Sequence, residues 1–242
     1  MKLSAFAILV LLLVLSLGIA DRVEAQSANG LSFSQNMSGQ GLSTVNVSTL
    51  GGKIISDTVS CYIAPGEEKS ALYNSQNRKM CRVAGAMSIG RKAVFGPISK
   101  GATTTICGQK ATQYYAWAYK AGTSPPELVC YVEFFTTDSP AIPKRIAYEY
   151  SSLLGLPKGY GMPLRAMGHY NYQKPGYKKT VWLDTVAIRP IVMTAADMRQ
   201  PAGYQIASDD LEVLMGDIDE APAGTLKAER QAALKKAAAQ RK

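Results

Sequence analysis

The chain has 242 residues, of which 47% are hydrophobic and 19% charged, and its formal net charge is +9. These proportions exclude wholesale disorder, and a single histidine excludes a multi-histidine metal centre. The basic balance is compatible with plain solubility and also favours acidic surfaces such as anionic headgroups, acidic glycans or nucleic acid.

Lys2 precedes an almost unbroken apolar run over residues 3–20, and Val23-Glu24-Ala25 follows. This pattern reads as a secretory signal peptide over residues 1–25, cleaved after Ala25 or, alternatively, after Ala20. An uncleaved anchor is the competing reading, because the run is near the lower length limit for a spanning helix. Export predicts a periplasmic or extracellular protein and removes nucleic acid as a partner. Residues 26–52 are rich in Ser, Gly, Asn and Thr and read as an exposed polar leader with at most one strand, at 44–47. Asn36 and Asn46 open N-x-S sequons, which matter only in a eukaryotic source.

Residues 53–218 read as one β-rich domain. Residues 59–63 and 70–73 flank Pro65-Gly66 as a hairpin, and 111–119 with 128–135 form a second around 122–126. The pattern then changes. Ile142, Ile146, Tyr150, Leu153 and Leu154 share one face at helical spacing, which predicts a helix over 141–155 with Pro143 in its first turn and Gly155 as its stop. Residues 163–172 and 179–188 return to strand, joined by the turn 174–177. The second of these is apolar on both faces, which predicts cover on both sides. Residues 193–198 and 208–215 read as short helices, and 201–203 as a turn. Residues 219–242 form a basic Ala/Lys-rich tail, helical or disordered, whose sharper reading is a contact with an anionic membrane.

Cys61, Cys81, Cys107 and Cys130 are widely spaced, with no C-x-x-C pair to bind zinc or run redox exchange. In an exported chain an even count reads as two disulfides. Three pairings are open, and proximity in sequence favours Cys61–Cys81 with Cys107–Cys130.

Catalytic motifs are missing. His169 is the sole histidine, and strand alternation places it on a solvent-facing side with Arg165 and Asn171. Gly85-Ala-Met-Ser88 misses the G-x-S-x-G spacing by one residue. The carboxylate pairs Glu67-Glu68, Asp209-Asp210 and Asp217 with Asp219 lack the facing geometry of a glycosidase, and no calcium or phosphate loop is present. No catalytic residue, cofactor or metal is expected.

The order of three segments nevertheless resembles a known group. Tyr73 to Cys81 resembles its first part. Tyr131-Val-Glu-Phe-Phe-Thr-Thr-Asp138, with Ile142-Pro143 and the helix, resembles its middle. Gly161-Met-Pro-Leu-Arg165, the strand around Trp182 and Pro201-Ala-Gly-Tyr204 resemble its end. The group is the periplasmic lipoprotein-carrier-like superfamily, in its secreted branches of unknown function, over roughly residues 55–206. The four cysteines, basic tail and polar leader depart from the true carriers. The resemblance implies an α+β fold: a large curved antiparallel sheet, or half-open barrel, with helices packed on its concave face and an apolar groove. The expected function is a non-enzymatic envelope carrier or sensor for a lipid or acyl chain. Its candidate lining is Trp117, Tyr119, Phe134, Leu164, Trp182, Val186 and Ile188, chosen by strand face. Two alternatives stand beside it: an envelope interaction protein that docks a partner or anionic membrane through its tail and surface, and a secreted hydrolase centred on His169 or a carboxylate pair.

Overall fold

The computed structural model describes residues 27–38, 41–84 and 93–215. The expected signal peptide over 1–25, its expected cleavage site and the expected tail over 219–242 lie outside them.

Thirteen strands form one open sheet. They are β1 (Ser27–Met37), β2 (Gly41–Ser48), β3 (Gly51–Ile55), β4 (Val59–Ile63), β5 (Ser70–Asn74), β6 (Lys79–Val83) and β7 (Ala93–Phe95), then β8 (Ser99–Ile106), β9 (Gln109–Lys120), β10 (Leu128–Thr137), β11 (Met162–Tyr170), β12 (Lys178–Thr194) and β13 (Gln205–Ile206). Their order is β13-β6-β5-β4-β3-β2-β1-β12-β11-β10-β9-β7, with β8 also on β9. All pairs are antiparallel except β13 on β6. Two α-helices, α1 (Lys144–Leu153) and α2 (Asp210–Met215), and one 3-10 turn (Ala195–Met198) complete the described elements.

Both expected hairpins form, with Cys61 opposite Leu72 and Phe134 opposite Tyr114. The expected helix is α1, preceded by Pro143 and followed by Gly155 at φ +65°. The region expected to be an exposed leader is different. It supplies β1, β2 and the start of β3, in the middle of the sheet, and Phe33 and Val47 are fully buried there. Its serines and asparagines alternate with Phe33, Val45 and Val47, so half of each strand suits a core that its mean composition conceals. The helix expected over 193–198 is also shortened, since β12 runs on to Thr194 before the 3-10 turn begins.

Directly opposed residues project to the same face of a sheet. Ile188, Phe33, Val45, Ile54, Cys61, Leu72 and Cys81 are therefore one row crossing seven strands. This inner face carries the main core and α1. The helix packs against β11, and its Ile146 Cγ2 lies 2.8 Å from the position a Cβ on Gly52 of β3 would take. The outer face of β3–β6 holds a smaller cluster of Tyr62, Ala71 and Tyr73, over which Met198 and Tyr204 fold. Arg78 stacks on the Tyr204 ring at 4.6 Å, and Tyr73 Oη donates to Gln200 Oε1 at 2.8 Å.

No disulfide joins the four cysteines, all of which are described. Cys61 and Cys81 each face Leu72 from opposite sides of β5. They stand two strand spacings apart, about 9–10 Å, beyond the roughly 7 Å a disulfide spans. Cys107 sits with Gly108 at φ +48° and +80° in the tight β8–β9 turn, whereas Cys130 faces Ala118 near the far end of β9. That separation is about 30 Å of strand. Burial pushes the Cys61 thiol up to about 12, with Cys81 adding to the effect, and burial with Asp210 pushes Cys81 up to about 11. Both therefore stay protonated and unreactive at neutral pH.

The α2 helix is held to β6 by Lys79 Nζ and Glu212 Oε1 at 2.8 Å, and Ser208 N and Oγ both donate to Glu212 Oε2. Hydrogen bonding from Lys79, then from Ser208, pulls the Glu212 carboxyl down to about 2 from its ordinary 4.5. A carboxyl lowered by folding adds stability above its unfolded value, and that stability is lost as pH falls through the folded one. Thermal melts are expected to show Glu212→Gln below wild type at neutral pH, with the gap closing as pH falls towards 2. A gap that persists unchanged at that pH contradicts this account.

Candidate functional site

The inner face is interrupted at one place. β11 pairs with β12 only as far as Arg165 opposite Asp184, while β12 continues beside β1 to Thr194. The root of this split is sealed by buried polar groups. Gln35 Nε2 donates to Pro163 O at 3.0 Å and to Thr185 Oγ1 at 2.9 Å, and Thr185 Oγ1 donates to Leu164 O at 2.6 Å. Tyr150 Oη of α1 donates to Gln35 Oε1, and burial pushes its phenol far up, so it remains a donor. Beyond this seal, residues 186–194 have a strand partner on one side only, among the described residues. Cover on both faces was expected over residues 179–188, yet Val181 is 48% and Val186 49% exposed, and Val192 further along the strand is 64% exposed. Ile188, Pro190 and Val192 project with Phe33, Leu31 and Asn29 respectively, so an uncovered apolar strip runs directly into the core.

Four of the seven candidate lining residues share this inner side. Phe134 and Leu164 are fully buried and packed, Trp182 and Ile188 are partly buried against the same core, and Val186 is the exposed, unpaired residue of the bulge between Thr185 and Ala187. Trp182 sits at the bulge between β11 and β12, its ring filling the space a side chain on Gly168 would need. Trp117 and Tyr119 are not with them. Trp117 faces Tyr131 and His169 on the outer side, and Tyr119 follows it two residues on.

That outer side holds a constellation that alternation alone did not reveal. His169 is only 7% exposed, not solvent-facing as expected, because residues 171–177 fold back over it. Its Nε2 lies 3.0 Å from Glu133 Oε2 and its Nδ1 2.7 Å from Tyr177 Oη. A carboxylate only accepts, so Nε2 carries the hydrogen in its bond to Glu133, and Nδ1 bonds the Tyr177 hydroxyl, which can donate or accept. Gln113 Nε2 donates to Glu133 Oε1 at 2.6 Å, and Gln113 Oε1 accepts from Ala102 N at 3.3 Å. The relay joins β8, β9, β10, β11 and the following loop. With both ring nitrogens engaged, His169 clamps the loop and presents neither nitrogen to a substrate.

Tyrosine and tryptophan rings surround the relay. Tyr131 lies 5.6 Å from Tyr115, 4.8 Å from Trp117 and 4.8 Å from Tyr172, and Tyr177 stacks on His169 at 6.0 Å. Burial, then Tyr172, raises the Tyr131 phenol, and burial, then Glu133, raises that of Tyr115. Arg165 Nε and Asp184 Oδ1 close an ion pair at 2.7 Å beside them. Among the described residues, no three His, Cys, Asp or Glu side chains converge on a metal position. Among the same residues, no helix is long and apolar enough to cross a membrane.

No family model and no curated protein matches the chain. Among solved structures, a Vibrio parahaemolyticus domain named for outer membrane lipoprotein sorting is similar over 72% of this chain and 91% of its own, at 12% identity and a TM-score of 0.22. A likeness of that size carries no argument about function. This chain's own residues form a sealed split in the sheet, an apolar strip beside it, and a hydrogen-bonded aromatic face opposite.

Proposed function

We propose that the chain is an exported, non-enzymatic envelope protein that binds an apolar ligand, such as a lipid or acyl chain, as carrier or sensor. One observation carries this: beyond Thr185 the apolar strip of β12 lies uncovered on the side that bears α1, continuous with Phe33 and Leu31. Leaving such side chains in water forfeits about 25 cal/mol for each Å² of apolar surface, which a bound chain would recover. In this reading the sheet curves over α1, which reaches from β11 to β3, and the groove opens between α1 and the free edge of β12. Ile188 and Trp182 line it, with Phe134 and Leu164 as its packed floor, and Val186 stands at the bulge beside it. Trp117 and Tyr119 have a separate part on the outer face.

Native mass spectrometry after incubation with palmitate tests the reading. Wild type is expected to carry one fatty-acid adduct. Val192→Asp, on an exposed side chain of the strip, is expected to reduce occupancy at least tenfold, because an anion placed on the strip is desolvated by the chain. Ile206→Asp, at an 86% exposed site elsewhere, is expected to leave it unchanged. Absence of an adduct on wild type, or equal occupancy in Val192→Asp, overturns the reading.

A further inference from the structure

The outer face of β7 and β9–β12 differs in character from the rest of the surface. Opposed positions place Val94, Tyr119 and Leu128 in one row, Trp117, Tyr131, His169 and Lys179 in the next, and Tyr115, Glu133, Met167 and Val181 in a third. Val94 is 57% exposed, and Leu128 and Val181 are each 48% exposed. Tyr177, half exposed, stands over the second row. Four large apolar side chains thus reach solvent around one aromatic platform. The outer face of β3–β6, by comparison, is covered by Met198 and Tyr204.

Charge decides what this face fits. Lys174, Lys178 and Lys179 are all exposed around Tyr177, and no acidic residue occurs between Pro163 and Leu183. The acids on or beside the platform are engaged: Glu133 by His169 and Gln113, Asp184 by Arg165, and exposed Glu127, next to Leu128, by Lys120. The surface is therefore apolar and aromatic at its centre and cationic at its rim. Tyrosine and tryptophan favour the boundary between hydrocarbon and water, where the ring is buried and its polar tip stays wet. Lysine stems lie along apolar surface while their ammonium groups reach phosphates. An anionic saccharide would satisfy the lysines but would give exposed valines and a leucine no partner. We propose that this face docks the protein onto an anionic lipid bilayer, with Tyr172, Tyr177, Val94, Leu128 and Val181 meeting the interface and Lys174, Lys178 and Lys179 meeting the headgroups. The clamp of Tyr177 through His169 to Glu133 fixes the docking loop in advance of contact, which lowers the ordering cost of binding.

This goes beyond the ligand strip, which lies on the other side of the sheet, and each fails separately. The test is sedimentation of the full chain, tail included, with vesicles of phosphatidylcholine containing about a third phosphatidylglycerol, and with heparin as a soluble polyanion. Lys174→Glu/Lys178→Glu/Lys179→Glu alters only exposed side chains, and it is expected to weaken vesicle binding roughly a hundredfold, from about fivefold per lysine near an anionic surface. Tyr172→Ser/Tyr177→Ser, checked for an intact melting transition, is expected to weaken it at least tenfold while leaving any heparin binding unchanged. In Trp182→Phe, brominated lipid chains are expected to quench the remaining Trp117. Vesicle binding by the lysine variant equal to that of wild type overturns the proposal, as does heparin binding without vesicle binding. Palmitate occupancy is expected to stay at the wild-type level in both variants.

Discussion

Phe33→Ala is expected to lower the unfolding free energy by about 3–5 kcal/mol. Phe33 is fully buried on a central strand, between Ile188 on one side and Val45 on the other. The β12 ladder pairs both ends of β1, with a bulge after Ser34, and the β2 ladder pairs it from Gly30 to Met37, so the cavity has little room to collapse. Its loss also undercuts the row through Ile54, Cys61 and Leu72, whose side chains pack on the same face. Urea unfolding gives the number directly, and a loss below about 1 kcal/mol would mean that β1 is peripheral, as its composition first indicates.

Gln35→Leu is expected to cost nearly as much for a different reason. Gln35 is fully buried and satisfies three groups at once: the Pro163 carbonyl, the Thr185 hydroxyl and the Tyr150 hydroxyl. Leucine fills the volume but leaves Tyr150 Oη without its acceptor and Pro163 O without its donor. Each buried group left unsatisfied costs about 1–3 kcal/mol, so a loss of roughly 2–5 kcal/mol follows. Tyr150→Phe removes one of the stranded partners. In the double variant Gln35→Leu/Tyr150→Phe the loss is expected to fall below the sum of the two single losses. Strict additivity would show that α1 is not coupled to the split through this pair. Because the network seals the root of the split, the variant is also expected to loosen α1.

The elements that were legible in the residues are those whose pattern is local. Strand alternation with a Pro-Gly turn marks β4 and β5, and helical spacing of Ile142, Ile146 and Tyr150 marks α1. What was not legible depends on partners distant in sequence. Ser32 and Asn46 look like leader residues until Phe33 and Val45 are seen to pair across β1 and β2. His169 alternates onto the outer side as expected, but its burial comes from a loop that folds back, which alternation does not encode. The signal that was available was Tyr172 and Tyr177 flanking a Lys-Pro-Gly turn in an otherwise acid-free stretch. The cysteines illustrate the reverse error. Proximity in sequence favoured Cys61 with Cys81, yet two antiparallel connections place them on either side of Leu72. Residues 179–188 of β12 were read as apolar on both faces and so expected to be covered. Their composition was read correctly, but Val181 and Val186 remain exposed, as does Val192 in the uncovered strip beyond them.

That uncovered strip is the centre of the functional account, and a spin-labelled fatty acid tests it residue by residue. Added to isotope-labelled protein, the label is expected to broaden the amide resonances of Val186, Ile188, Val192 and Phe33 while leaving those of His169 and Tyr177 sharp. Broadening confined to the His169 face, or none anywhere on β12, would contradict the assignment of the ligand to this strand.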